Sequence, residues 1–212
     1  MSVAMIVGES GAGKTVNATL ARTPKRIKLI CTDNSSIVLQ NFDRPNVDIE
    51  NVSTVDAFMD AFHKSTENSS YSLIVVDNLS DYFDLAILEM EASGDFKDMR
   101  KAYAVLYNQI KRLVREATAV NCDVVFTAWQ DIVEITLPTG EHVQRVQPKL
   151  PGKILNNVCG LMNIIAHVQT AMDGDKKRWF YVTAGSPALL AKDQLYCRKS
   201  CLPEDIFIKE DK

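Results

Sequence analysis

Short apolar runs punctuate the first two thirds of the chain and predict buried strands. They occur at residues 1–7, 26–32, 73–76 and 123–128. Runs of this length, bounded by polar or glycine-rich segments, are typical of strands that are covered on both faces. The segments between them differ in pattern, so they are expected to form another type of element.

Helical spacing appears between these runs. Residues 14–22 predict a short helix that is stopped by Thr23-Pro24, and 80–120 predicts helix in two pieces broken near Ser93-Gly94. A third helix is predicted after Thr54 or Ser53, where apolar residues recur at positions i, i+3, i+4 and i+7: Val55, Phe58, Met59 and Phe62. Strands that alternate with helices predict a parallel sheet with right-handed crossovers.

The last third of the chain is richer in strands. Apolar and polar residues alternate over 132–146 around Pro138-Thr139-Gly140, which predicts a hairpin. Two further strands, 163–169 and 179–183, are separated by a turn at 173–175. These hairpins predict antiparallel additions at one edge of the sheet. The whole chain, 1–212, is therefore expected to form a single α/β domain.

Composition narrows the possible classes of protein. The chain has 212 residues, of which 46% are hydrophobic, and a net charge of −3. It can bury a sizeable core, and its charge argues against coating duplex nucleic acid through bulk attraction. No apolar run is long enough to span a bilayer, no signal peptide is recognisable, and the five cysteines are irregularly spaced. We therefore expect a cytoplasmic protein with reduced thiols and no membrane partner.

One segment carries a specific chemical signal. The sequence Gly8-Glu9-Ser10-Gly11-Ala12-Gly13-Lys14-Thr15 matches the phosphate-loop pattern G-x-x-x-x-G-K-[ST], between a predicted strand and a predicted helix. The glycines let successive backbone N–H groups point at phosphate oxygens, and the following helix directs its positive end at the same anion. We predict that Lys14 reaches the β- and γ-phosphates of ATP and that the Thr15 hydroxyl ligates Mg²⁺.

A second element of the site is predicted at the end of the strand 73–76. Asp77 follows this strand about 60 residues after the loop, on what is expected to be the neighbouring strand. A carboxylate in this position can hold Mg²⁺, often through water. Asp77 is therefore the predicted metal aspartate.

Two polar residues at other strand ends are candidates for further roles. Asp33 would look into the same crevice and orient the attacking water; the alternative is that it caps a turn with Asn34 and Ser35. Gln130, after the strand that ends at 128–129, would sense the γ-phosphate; the alternative is an exposed loop glutamine. Trp129 and Trp179 could stack on a base, but tryptophans beside apolar strands belong more often to the core.

The order of these parts resembles the RecA-type ATPase core, and more closely the Sak-type single-domain RecA-like proteins of phage recombination, a family described as AAA-domain nucleotide-binding proteins. The similarity covers nearly the whole chain. Beyond the phosphate loop, it rests on the segments 75–79, 126–128, 148–153 and 191–193. Within these, Pro148-Lys149-Leu150-Pro151-Gly152-Lys153 and Ala191-Lys192-Asp193 distinguish this family from other phosphate-loop proteins.

The resemblance implies a RecA-like P-loop core that assembles as a homo-oligomer on single-stranded DNA, with the nucleotide between subunits. A single-strand DNA-binding protein is a further possible partner, and a phage protein would work in the host cytoplasm. Lys192 matches a residue that reaches the γ-phosphate of the adjacent subunit, whereas Gln194 replaces the second cation of that pattern. Ser35 stands where a carboxylate is common. Both departures imply slow hydrolysis or a nucleotide switch.

Two basic clusters are candidates for contacts with DNA, since RecA-like cores bind DNA through the loops in which they lie. Positive side chains on loops can follow a phosphate backbone. The alternative is a solvated surface, and the acidic stretch 77–95 would repel DNA nearby. The candidate residues are Lys97, Arg100, Lys101, Arg145, Lys149 and Lys153.

The favoured function is a Mg²⁺-dependent ATPase in recombination or single-strand annealing. One alternative is a nucleotide-gated replication or packaging accessory that binds ATP with little turnover. A small phosphate-loop kinase is disfavoured, because the arginine-rich lid of that class is missing from 131–151, where Arg145 is the only arginine.

Overall fold

A computed structural model of the chain describes residues 1–21, 26–68, 70–94 and 98–208. Within these residues there are five α-helices and ten strands. The helices are α1 (Lys14–Ala18), α2 (Val55–Glu67), α3 (Leu79–Ser93), α4 (Met99–Ala117) and α5 (Gly152–Leu161). The strands are β1 (Val3–Gly8), β2 (Arg26–Cys31), β3 (Val47–Asn51), β4 (Tyr71–Asp77), β5 (Asp123–Thr136), β6 (His142–Pro148), β7 (Ile164–Asp173), β8 (Lys176–Val182), β9 (Lys192–Asp193) and β10 (Ser200–Cys201).

Six strands form the parallel part of the sheet, in the order β7-β1-β5-β4-β2-β3. Strands β8, β9 and β10 extend the β7 side in antiparallel orientation. The predicted α/β class with a mostly parallel sheet is confirmed. The prediction that the Asp77 strand neighbours the phosphate-loop strand is wrong, because β5 lies between β1 and β4.

Both faces of the parallel strands are buried, which explains their continuous apolar runs. Alternate residues of β1 belong to opposite layers: Met5 and Val7 face the layer of α2 to α5, whereas Ala4 and Ile6 face the layer that contains α1 and Tyr181. A strand that is covered on both sides has no polar face, so its sequence shows no alternation.

The helices largely follow the predicted pattern. Thr54 caps α2, since its side chain accepts a hydrogen bond from the Ala57 N–H at 3.2 Å. The break near Ser93-Gly94 separates α3 from α4, and Gly94 takes a φ of +69° there. Helix α1 ends at Ala18, earlier than predicted, and its predicted stop at Thr23-Pro24 lies outside the described residues.

Strand β3 and helix α5 were not predicted from the sequence, and neither were the two-residue strands β9 and β10. Strand β3 is short and lies at the sheet edge, so its apolar residues are partly exposed and its pattern is weak. Helix α5 begins within the Pro148–Lys153 motif, at Gly152. It buries Ile154, Leu155, Val158 and Cys159, a helical pattern that was present in the sequence.

The hairpin over 132–146 forms as predicted but in a different place. Strand β5 continues without interruption from the sheet interior to Thr136, and β6 pairs with its outer half from Gln130 to Thr136. The hairpin therefore extends from a central strand rather than from the edge. Gly140, with a φ of +86°, closes its turn.

Candidate functional site

The phosphate loop connects the carboxyl end of β1 to the first turn of α1. Gly11 and Gly13 have φ values of +75° and +91°, a region that residues with a side chain rarely adopt. A Cβ atom on Gly13 would also lie 2.9 Å from Nε1 of Trp179 and 3.1 Å from Nδ2 of Asn17. Conformation and packing therefore both require glycine at position 13.

Lys14 lies folded against the loop. Its Nζ donates hydrogen bonds to the carbonyl oxygens of Gly8, at 3.1 Å, and Glu9, at 2.8 Å. The side chain is buried, and this burial lowers the pKa of its ammonium group, while the charges of Asp77 and Asp33 act in the opposite direction. The ammonium group thus lies against the backbone of the phosphate loop, within electrostatic range of Asp77 and Asp33.

Asp77 is buried and accepts hydrogen bonds from three hydroxyl groups. It is 2% exposed, and its Oδ2 accepts a hydrogen bond from Thr15 Oγ1 at 2.6 Å. Ser35 Oγ donates to the same oxygen, and Thr127 Oγ1 donates to Oδ1. We call Asp77, Thr15, Ser35 and Thr127 the Asp77 cluster. The structure therefore brings together the two predicted metal residues, although they lie 62 positions apart.

This donor set fits Mg²⁺ bound together with a nucleotide. The ion prefers oxygen ligands, and in phosphate-loop proteins one hydroxyl and one carboxylate complement the phosphates and water. Thr15 and Asp77 supply those two groups. In the part of the chain that the structure describes, no group of three or more His, Cys, Asp or Glu side chains could hold a metal without such help.

A cavity of about 190 Å³ lies beside the Asp77 cluster and is lined by Lys14, Thr15 and Asp77 among others. Asp33 also lines this cavity. Its Oδ1 accepts the Ser35 N–H at 3.0 Å, so the turn expected as an alternative is formed. Its Oδ2 accepts from Asn78 Nδ2 at 2.9 Å. The role of Asp33 in orienting water stays a prediction, with its carboxylate at the cavity wall.

Gln130 lies on the other side of the phosphate loop. It belongs to β5, so the expectation of a residue beyond the strand end is wrong. Its Nε2 donates to Glu9 Oε1 at 3.0 Å, a direct bond between the phosphate loop and the strand that leads into the β5–β6 hairpin. A second cavity of about 370 Å³ adjoins both residues. The role of Gln130 as a sensor of the γ-phosphate stays a prediction.

Lys192 does not join this site within the chain. It lies on β9 opposite Ile165, near the beginning of β7, whereas the phosphate loop follows the end of β1. Burial lowers the pKa of its ammonium group, and its Nζ donates to Gln194 Oε1 at 3.3 Å. The two positions of the expected cationic pair are thus hydrogen-bonded to each other.

Most of the described DNA candidates are held by partners within the chain. Lys149 Nζ lies 3.5 Å from Asp84 Oδ2 and 4.9 Å from the centroid of the Trp129 ring, in a cation–π contact. Arg145 donates to the Pro187 carbonyl, and Arg100 pairs with Asp98. Lys101 and Lys153 are exposed, and Lys97 lies outside the described residues.

Several residues of the site were missed or misjudged from the sequence. Thr127 and Asn78 received no role, although Asn78 both caps α3, through the Asp81 N–H, and contacts Asp33. Ser35 was treated only as a departure from a pattern. The core is the favoured expectation for Trp129, with stacking on a base as the alternative; the residue is half-buried and lines the cavity beside Asp77. Of these residues, Asn78 is the one that the sequence could have indicated, because it follows a strand and can cap the next helix.

The described helices include none with the length and apolar character needed to cross a membrane.

Three solved structures resemble this fold at low sequence identity. The flagellar accessory protein FlaH from Methanocaldococcus jannaschii is 14% identical, with a TM-score of 0.47 over 94% of this chain and 83% of that one. An ATPase from the type III secretion system of pathogenic bacteria is 13% identical (TM-score 0.53), and the match covers 79% of this chain and 51% of that one. The KaiC-like protein PH0186 from Pyrococcus horikoshii OT3 is 10% identical (TM-score 0.50, 85% and 77% covered).

At these identities the likeness to the last two structures shows the fold alone, which is that of RecA-like P-loop ATPases. No curated protein matches the chain. The family model described as an AAA domain matches residues 2–195, which include the phosphate loop, Asp77 and Lys192. The chain therefore belongs to the AAA domain family and is an ATP-binding P-loop ATPase with a RecA-like fold.

Proposed function

We propose that this protein is a Mg²⁺-dependent ATPase that acts on single-stranded DNA in phage recombination or single-strand annealing, as an oligomer with nucleotide between subunits. The observation that carries the ATPase part is the hydrogen bond of 2.6 Å between Thr15 and Asp77, beside Lys14. It joins the hydroxyl and the carboxylate that a nucleotide-bound Mg²⁺ needs.

Each residue has a role in this proposal. The loop amides and Lys14 bind the phosphates, and Thr15 with Asp77 holds the metal, which supplies charge stabilisation when it is bound. Asp33 orients the attacking water, Gln130 senses the γ-phosphate through the loop that it already contacts at Glu9, and Lys192 acts on the neighbouring subunit. Catalysis of this kind is mostly positioning and charge stabilisation.

The DNA part rests on the sequence resemblance, above all on the segments 148–153 and 191–193. A single-strand DNA-binding protein would be a natural partner, because it occupies the same substrate. The internal contacts of Lys149 and Arg145 imply that these cations would have to exchange Asp84 and the Pro187 carbonyl for phosphate on binding.

A second candidate is a nucleotide-gated replication or packaging accessory with little turnover. Ser35 favours it, because its hydroxyl bonds to Asp77 where a carboxylate is common in related cores. Gln194 favours it too, since this neutral residue leaves one trans cation where two are usual. A kinase is disfavoured, since 131–151 has Arg145 as its one arginine and this segment forms a hairpin rather than an arginine-rich lid.

The deciding experiment is ATP hydrolysis by the purified protein with Mg²⁺, with and without single-stranded DNA, beside Lys14→Ala. We expect a slow basal rate, a several-fold rise with DNA, and a loss of about 100-fold or more in the variant. A rate that DNA leaves unchanged, with nucleotide still bound, would favour the accessory. Phosphate transfer to a nucleoside or nucleoside monophosphate would instead indicate a kinase.

A further inference from the structure

A groove between α4 and α5 lies apart from the residues of the nucleotide site. It has a volume of about 270 Å³ and is lined by Lys111, Arg115, Asn156, Asn157, Gly160 and Leu161. The two cations come from α4 and the amides from α5. We call this the α4–α5 groove.

The groove is positively charged without compensation. Its lining holds two cations and no carboxylate. The nearest acid on the same helix, Glu116, is engaged by Arg112, at 2.8 Å, and by His63 of α2, at 3.1 Å. In the described part of the chain, no acidic side chain pairs with Lys111 or Arg115 within 4.0 Å. Such a patch in a protein with a net charge of −3 is a local exception to its overall charge.

The spacing of these groups suits an extended anionic chain. Lys111 and Arg115 are four residues apart on one helix, so their stems are separated by about 6 Å along its axis. On α5, Lys153 precedes Asn156 and Asn157 by three and four residues and is also exposed. Lys153, in the first turn of α5, thus adds a third cation on this face of the helix.

We propose that the α4–α5 groove binds the sugar–phosphate backbone of single-stranded nucleic acid, with Lys111 and Arg115 on phosphates. Additional donors are the amide of Asn156 and the N–H of Asn157 that does not bond to the Lys153 carbonyl. This proposal rests on the proposed DNA function and locates its main contact. Lysine, arginine and asparagine are typical phosphate ligands. Unlike Lys149 and Arg145, the groove cations need not give up a partner within the chain.

The composition of the groove favours nucleic acid over a protein segment. Protein partners are usually anchored by aromatic or large apolar side chains in apolar pockets. Here Leu161 is the one large apolar residue of the lining, and it is only half-buried. A polar groove of this size also suits one strand better than a duplex.

The test is the binding of a fluorescein-labelled oligothymidylate, measured by anisotropy at several salt concentrations. The variants are Lys111→Glu/Arg115→Glu and the milder Lys111→Gln/Arg115→Gln. The control is Lys64→Glu/Lys199→Glu, which makes the same charge change at two exposed lysines outside the groove. We expect at least a tenfold loss of affinity in the glutamate variant, and a salt slope lower by about 1.4 in the glutamine variant, since two phosphate contacts are lost. The control should stay within threefold of the unaltered protein.

Two results would overturn the groove proposal alone. One is equal loss in the groove variants and the control while the unaltered protein binds DNA. The other is displacement of the oligothymidylate by polyglutamate at equal charge concentration, which would indicate an acidic protein partner. A protein that binds no single-stranded DNA, even at 50 mM salt, would refute the DNA part of the proposed function and the groove proposal with it. Folding of each variant is checked by its thermal midpoint.

Discussion

The Asp77 cluster and the α4–α5 groove handle charge in opposite ways. In the cluster one carboxylate is buried and receives hydrogen bonds from three hydroxyls, contributed by α1, the 3₁₀ helix Ser35–Asn41, and β5. In the groove Lys111 is half-buried and Arg115 is exposed, and neither has an acidic partner among the described residues. A buried charge must be satisfied by the fold itself, whereas an exposed one is satisfied by water until a ligand arrives. The Asp77 cluster therefore holds its side chains in a fixed arrangement, whereas the α4–α5 groove is suited to attracting an anionic ligand.

The largest expected effect comes from removing the charge of the cluster. Asp77→Asn keeps the size of the side chain but removes the carboxylate that Thr15 and the metal require. We expect Mg²⁺-dependent ATP hydrolysis to fall about 100-fold or more. Steady-state rates measured across a Mg²⁺ titration check this. A variant that regained full activity at high Mg²⁺ would show that Asp77 contributes only to metal affinity.

The next effect concerns the stability of the cluster. Thr127 is fully buried and donates to Asp77 Oδ1, so Thr127→Val should lower the free energy of unfolding by about 1–3 kcal/mol. Ser35→Ala should cost less, since Ser35 is half-buried and Thr15 still serves the same oxygen. Urea unfolding of both variants measures the difference, with Thr127→Ser as the control that retains the hydroxyl. Equal losses in the two variants would contradict the unequal burial argument.

A smaller effect is expected on the pH dependence of stability, through a histidine that is buried in its neutral form. His167 is buried, and burial lowers the pKa of its imidazole, against a hydrogen bond of 3.0 Å with the Leu190 carbonyl that acts to raise it. Because the unfolded chain takes up this proton more readily, the contribution is present above the unfolded pKa of about 6.5 and is lost as pH falls below it. We expect urea midpoints to drop between pH 7.5 and 5.5, and to drop less in His167→Gln. An identical pH dependence in both proteins would rule out His167 as its source.

The smallest expected effect is on the stability of groove variants. Lys111→Gln/Arg115→Gln removes one half-buried and one exposed charge that have no acidic partner among the described residues, so the free energy of unfolding should change by less than about 0.5 kcal/mol. The same urea measurements test this. A loss comparable to that of Thr127→Val would show that the groove cations are structural and would weaken the contrast between the two regions.

The phosphate loop was predictable because its chemistry is local. Eight consecutive residues set the backbone path, the lysine and the hydroxyl, and the flanking apolar runs indicate a strand before and a helix after. The α/β class followed for the same reason, since each strand and helix shows its own period. Asp77 was also predictable as the residue that ends a buried strand.

The sequence by itself thus determined the class of fold, the phosphate loop and the identity of the carboxylate beside it. Tertiary structure decided that β5 lies between β1 and β4, so the strand that ends at Asp77 is not adjacent to the phosphate-loop strand. The same strand order brings Thr127 within hydrogen-bonding distance of Asp77. It also decided which cations are engaged, as Lys149 is with Asp84, and which remain available, as Lys111 and Arg115 are. The physical reason is one of range: backbone conformation and periodicity are set by neighbours in sequence, whereas strand order and charge pairing depend on groups brought together from distant parts of the chain.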